Sequence, residues 1–121
     1  MAYILDLKTF NDPRGSLSVF EDYEIPFTIK RIFFIYNLDK SDRAKHRHKK
    51  TFQALICFFG SCTVYTNNGK VKQVFVLDSP DKCLILNPED WHIVSDVSKD
   101  TILLVAASEY FDPDDYIFSD Y

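Results

Sequence analysis

The chain has 121 residues, a formal net charge of −4, and a composition that is 46% apolar and 16% aromatic. That size suits one domain with a core of its own, and such a composition excludes a disordered chain. One short basic cluster at 45–50 and no long basic stripe exclude a general binder of duplex nucleic acid, and apolar runs of at most six residues exclude a helix crossing a bilayer.

In chain order, short strand signals dominate. Tyr3–Leu7 is mostly apolar, and Asp12-Pro13-Arg14-Gly15 reads as a turn because proline presets φ and glycine accepts the left-handed region. Leu17–Phe20 follows as a strand, then the aromatic and β-branched run Ile29–Leu38, then a polar loop from Asp39 through Lys45. Phe52–Phe59 and Cys62–Thr66 are parted by Gly60-Ser61, and "TNNGK" predicts a type I′ hairpin into Val71–Leu77. After the turn Ser79-Pro80-Asp81 come Cys83–Leu86, Trp91–Val94 and Thr101–Ala107. The end, "FDPDDYIFSDY", reads as a helical turn or a tail packed on the body through Asp114, Asp115 and Tyr116.

No window carries a 3.6-residue period, so the series predicts an all-β sandwich or barrel spanning 1–121 as a single domain. Ala54–Phe59 and Ile102–Ala107 are apolar at both parities, so both strand faces are expected to be covered. So short a chain leaves little material for a covering layer, which makes a homodimer the simpler account. Cys57, Cys62 and Cys83 are odd in number and lack CxxC spacing, which suits reduced thiols in a cytoplasmic protein. The stretch MAYILDLKTF is too short and too polar for a signal peptide.

The chemistry concentrates in "AKHRHKKTFQALICFFG". Residues two apart on a strand share a face, so His46 and His48 project together with Arg47 opposite. Four residues separate His48 from Gln53, and six more separate Gln53 from Gly60. This resembles the first cupin signature, HxH–x4–E–x6–G, with glutamine in the glutamate position. A turn or bulge at Lys49–Thr51 is needed to bring Gln53 back to the pair. "NPEDWH" supplies the frame of the second cupin signature and places His92 at the third histidine position. The resemblance implies a double-stranded β-helix, or jelly roll, with a short C-terminal tail or helical turn. The fold does not choose the chemistry. Three histidines and a carboxylate would bind a metal, but neutral Gln53 is a weaker ligand, and imidazole is also the side chain most easily tuned for proton transfer near pH 7.

The fragments "RGSL", "IPFTIKR", "HRHK" and "ASEYFDPDDY", in this order and over nearly the whole chain, are similar to the sugar-nucleotide 3,4-ketoisomerases that act on dTDP-4-keto-6-deoxyglucose. The resemblance implies an enzyme without metal or redox cofactor, whose substrate is a dTDP-linked 4-keto-6-deoxyhexose. It implies His46 as the group that moves the carbon-bound proton and His48 as its partner, orienter or relay. Tyr36 would be a phenol donor, Arg14 a diphosphate contact with Lys49 beside it, Gln53 a hydroxyl contact, and Trp91 a stacking surface or a plug of the barrel mouth. Two features depart from that family. Phe118 stands where an arginine is usual just past the DDY element, and His92 occupies a position often not histidine. A metal-dependent dioxygenase-like cupin using His46, His48, His92 and Gln53, a 3,5-epimerase, and a non-catalytic sugar-nucleotide-binding cupin are the alternative readings.

Overall fold

The computed structural model describes residues 1–121, and it builds two five-stranded antiparallel sheets facing each other. The first sheet runs, in spatial order, β1 (Tyr3–Asp6), β9 (Lys82–Leu86), β6 (Gln53–Phe59), β11 (Ile102–Ala107) and β4 (Arg31–Ile35). The second runs β12 (Tyr116–Ile117), β5 (Arg43–His48), β10 (Trp91–Ser95), β7 (Cys62–Asn67) and β8 (Lys72–Leu77). A separate hairpin pairs β2 (Lys8–Asp12) with β3 (Gly15–Val19). This is the jelly roll the sequence predicted. Two of its strands, β2 and β12, were not anticipated, because "KTFND" is mostly polar and "YI" is too short to carry a pattern, and β5 begins at Arg43, inside the segment read as a polar loop.

Period-2 alternation sorts the apolar side chains between the two faces of the first sheet. Leu55, Cys57, Leu84, Leu86, Leu103 and Val105 point between the sheets and meet Cys62, Val64, Leu77 and Val94 from the second. Burying each of the leucines there contributes on the order of 2 kcal/mol. The opposite parity, Ala54, Ile56, Cys83, Ile85 and Ala106, is covered by Leu7, Phe20, Ile25, Phe27 and Ile29. The chain thus supplies its own covering layer over that patch, contrary to the expectation that a second copy would be needed there. A patch remains open farther along the same face, where Ile32, Phe34 and Phe58 are exposed. The three cysteines are buried and unpaired.

Two turns explain the signature glycine and the hairpin. Gly60 has φ +82°, and a Cβ there would lie 2.5 Å from the Thr101 hydroxyl and 2.6 Å from that of Ser98, so only glycine fits. In "TNNGK" the left-handed φ falls on Gly69 alone, between Asn68 and Val71, whose backbone groups pair. A turn with glycine first follows the II′ pattern rather than the predicted I′.

Candidate active site

The segment 49–52 leaves the second sheet after His48 and enters the first at Gln53. Buried Asp115 holds this crossing: its carboxylate accepts the N–H groups of Lys49 (3.2 Å) and Lys50 (2.8 Å) and the hydroxyl of Thr51. Burial alone would raise the Asp115 pKa, but the Thr51 hydroxyl, the Lys50 N–H and nearby His48 outweigh it and hold the carboxyl below its ordinary value. The crossing is the turn that the spacing required, and it brings Gln53 to face the histidines.

Between the sheets lies a cleft of about 320 Å³. His46, His92, Gln53, Arg43 and Tyr116 supply its polar groups, and Phe33, Ile35, Leu55, Leu86, Val94, Leu103 and Val105 its apolar walls. His46 and His92 are cross-strand partners, so both rings share one face, with centroids 5.0 Å apart. His48 stands edge-on to His46 at 4.9 Å. Tyr116, opposite His48 on β12, brings its ring within 4.7 Å of His46 and 4.8 Å of His48.

Backbone carbonyls fix the tautomers. The Nδ1 of His46 lies 3.1 Å from the Ala44 carbonyl, and that of His92 lies 3.0 Å from the Asp90 carbonyl. A carbonyl oxygen only accepts, so each Nδ1 carries the proton and each Nε2 keeps a free lone pair. Burial lowers the pKa of His46. Burial, then the neighbouring His46 and Arg31, push His48 down to about 4, while Asp115 opposes them. Burial, then His46 and His48, push His92 down to about 3, against the Asp90 carbonyl. At pH 7 the cluster holds three neutral imidazoles. The buried Nε2 of His48 has no hydrogen-bond partner.

No three His, Cys, Asp or Glu side chains are placed so as to hold a metal ion together, and Gln53 brings no charge.

The structure brings His46, Gln53 and His92 together in the cleft, packs His48 against His46 and Tyr116 outside its lining, and leaves the other expected residues apart. Tyr36 is 63% exposed and lines a different hollow with Phe34 and Leu38. Phe33 and Ile35 point into the cleft, so strand alternation turns Tyr36 outward. Arg14 sits at the tip of the β2–β3 hairpin, where its guanidinium is held 2.8 Å from the Asp12 carboxylate. Lys49 is exposed outside the cleft. Trp91 is buried on the outer face of β10, with Nε1 donating to the Phe118 carbonyl at 3.0 Å, so it anchors the C-terminal tail instead of offering a stacking face. Phe118 stacks on Tyr116 at 6.1 Å and lies 6.2 Å from His46. The site residues missed in the sequence are Tyr116, read there as packing, and Arg43, read there as loop.

Residues 2–121 match the family model described as "FdtA: WxcM-like, C-terminal". A TDP-4-oxo-6-deoxy-alpha-D-glucose-3,4-oxoisomerase from Aneurinibacillus thermoaerophilus is 40% identical over 116 residues, which is 94% of this chain and 84% of that protein. The chain belongs to the sugar-nucleotide 3,4-ketoisomerase family. Among solved ketoisomerases, that of Helicobacter canadensis superimposes with TM-score 0.92 at 36% identity, covering 98% of this chain and 90% of its own. A histidine-to-asparagine variant of the ketoisomerase from Thermoanaerobacterium thermosaccharolyticum, in complex with TDP-4-keto-6-deoxyglucose, also gives 0.92, at 34% identity over 98% of this chain and 87% of its own. Family membership makes the chain an enzyme.

Proposed function

We propose that this ketoisomerase moves the ketone of TDP-4-keto-6-deoxyglucose from C4 to C3 by histidine proton transfer, with no metal or redox cofactor. The observation that carries this reading is the lone pair on His46 Nε2, in a neutral ring lining the cleft with its other nitrogen tied to the Ala44 carbonyl. The C3 proton is acidic because the C4 carbonyl is adjacent. His46 takes it, and the electron pair flows into a C3–C4 enediol as O4 gains a proton. Loss of the O3 proton and protonation at C4 then leave the ketone at C3. His48, whose Nε2 has no partner in the protein, relays protons between the oxygens. The phenol role that the sequence assigned to Tyr36 passes to Tyr116, the tyrosine that lines the cleft. Gln53 hydrogen-bonds a sugar hydroxyl, and His92, with its Nδ1–H tied, offers Nε2 to another.

His46→Asn keeps a polar side chain but removes the base, and general acid–base groups contribute about 10²–10⁴-fold. The expected result is turnover reduced by at least that factor, with dTDP binding retained. NMR in D2O with TDP-4-keto-6-deoxyglucose measures the first and calorimetry the second. Full activity in the variant would remove His46 from the mechanism. Loss of wild-type activity on metal chelation would favour the metal-dependent reading.

The same proposal treats residues 1–121 as one cytoplasmic cupin domain, with the 3-keto product feeding amination in the biosynthesis of a dTDP-deoxyaminosugar for a surface glycan. It also includes a homodimer. The outward-facing Ile32 and Phe34 lie on β4, an edge strand of the first sheet, with exposed Tyr36 just past its end, and a second copy would cover both the apolar row and the open edge.

A further inference from the structure

The outer face of the histidine strand carries a contact that the chemistry above does not use. His46 faces the cleft, so Arg47 beside it projects to the opposite side of β5. There its guanidinium lies over the ring of Tyr121, 4.1 Å from the centroid, and Nη1 donates to the Tyr121 hydroxyl at 2.9 Å. The Arg47 Nε is buried without a hydrogen-bond partner, and the side chain forms no ion pair within 4.0 Å. Its placement answers to an aromatic ring and not to a carboxylate.

Tyr121 is 52% exposed, yet it meets three separate parts of the fold. Besides Arg47, its hydroxyl donates to the Glu89 carbonyl at 2.8 Å, in the turn that leads into β10 and His92. Its ring also lies against Gly69 at the tip of the β7–β8 hairpin, where a Cβ would come within 2.9 Å of Tyr121 Cδ1. Neighbouring Asp120 accepts from Asn67 Nδ2 at 3.0 Å. Tyr121 thus ties together, from outside, the two strands whose inner faces pair His46 with His92.

β12 needs such a tie. It sets only Tyr116 and Ile117 against His48 and Arg47, too short a ladder to hold by itself. Asp115 fixes the chain on one side of Tyr116, and on the other only the Phe118 carbonyl, bonded by Trp91, intervenes before Asp120 and Tyr121. We infer that Tyr121, clamped on Arg47, is a positioning residue for the reaction: it closes the strap 116–121 over β5 and so fixes the Tyr116 phenol against the two imidazoles. This inference rests on the proton-transfer reading above and deepens it. One strand then serves both sides, with its histidines turned to the substrate and the arginine between them holding the tyrosine that assists them.

The test compares wild type with Tyr121→Ala and Tyr121→Phe, with circular dichroism confirming each fold. Trp91 is the only tryptophan, and its indole N–H is donated to the Phe118 carbonyl, so hydrogen exchange at that N–H reports the strap independently of activity. In Tyr121→Ala this exchange is expected to quicken about tenfold or more, and in Tyr121→Phe, which keeps the ring on Arg47, to lie between. With TDP-4-keto-6-deoxyglucose, kcat is expected to fall about tenfold or more in Tyr121→Ala while KM stays within about threefold, because misplacing a reacting group by about 1 Å costs up to about 10²-fold. In a Tyr116→Phe background, Tyr121→Ala should lower kcat no further, an outcome that general loosening of the protein does not produce. Unchanged Trp91 exchange, wild-type kcat in Tyr121→Ala, or an equal loss of kcat in the Tyr116→Phe background would each overturn the inference. A wild type that does not isomerise the sugar would instead refute the proposed function, and the Trp91 exchange would then decide the clamp by itself.

Discussion

Three imidazoles packed within 4.9–6.5 Å of one another cannot all carry charge in a buried cluster, and this makes folding sensitive to acid. Their pKa values in the folded protein lie below the ordinary value, to about 4 for His48 and about 3 for His92. The unfolded chain therefore binds protons first as pH falls through about 6.5, and stability declines from there toward pH 4. Each histidine still neutral in the folded state adds a slope of about 1.4 kcal/mol per pH unit. His92→Asn, which cannot titrate, should flatten the dependence of unfolding free energy on pH between 6 and 5 by about that amount. Equal slopes in urea titrations of the two proteins would show that His92 is not held neutral. The histidines were legible in the sequence because a two-residue spacing on a strand fixes a shared face, and the later spacings to Gln53, Gly60 and His92 matched one signature. Tyr36 was misplaced because its parity was not counted from Phe33. Arg43 was hidden because no glycine marks the left-handed backbone at Ala44 and Lys45, so its orientation depends on a bulge that the sequence does not announce.

Among elements, the shortest has the largest bearing on the site. β12 contributes two residues, yet it carries Tyr116 into the cleft and follows directly on Asp115, which anchors the crossing from His48 to Gln53. Asp115→Ala leaves the Lys50 N–H and the hydroxyl of buried Thr51 without their acceptor, while the Lys49 N–H keeps the Asp115 backbone carbonyl at 2.9 Å. Hydrogen bonds to a charged group are worth about 1.5–3 kcal/mol, and a stranded buried donor costs about 1–3 kcal/mol, so the variant is expected to lose about 3 kcal/mol of stability. Denaturant unfolding measures it, and a loss under 1 kcal/mol would mean that the turn holds without its anchor. The central strands β6, β9 and β11 were readable from their apolar runs. The tail was not, because its placement is decided by a carboxylate's long-range partners and not by any period in "FDPDDYIFSDY".

For the whole molecule, the sequence indicated that both faces of the central strands are buried, but not what covers them. Part of the answer is internal: the stretch from Phe20 to Ile29 lies over Ala54, Ile56 and Ile85. The remaining exposed face, with Phe34 at 57% exposure, belongs to the proposed dimer. Phe34→Asp places a charge in that surface without touching the cleft, and sedimentation velocity should then show a monomer where wild type shows a dimer. A wild type that sediments as a monomer at assay concentration would exclude the dimer.

The hydrogen bonds that orient His46 and His92 both run to the carbonyl two residues earlier in the chain, that of Ala44 and that of Asp90. Neither depends on the identity of a neighbouring side chain. In many histidine-based sites a carboxylate or amide sets the tautomer, and its loss silences the base. Here the instruction is written in the main chain and travels with it. The walls of the cleft are therefore free to diverge in sequence, accommodating other sugars, while the proton-accepting nitrogens stay where they are.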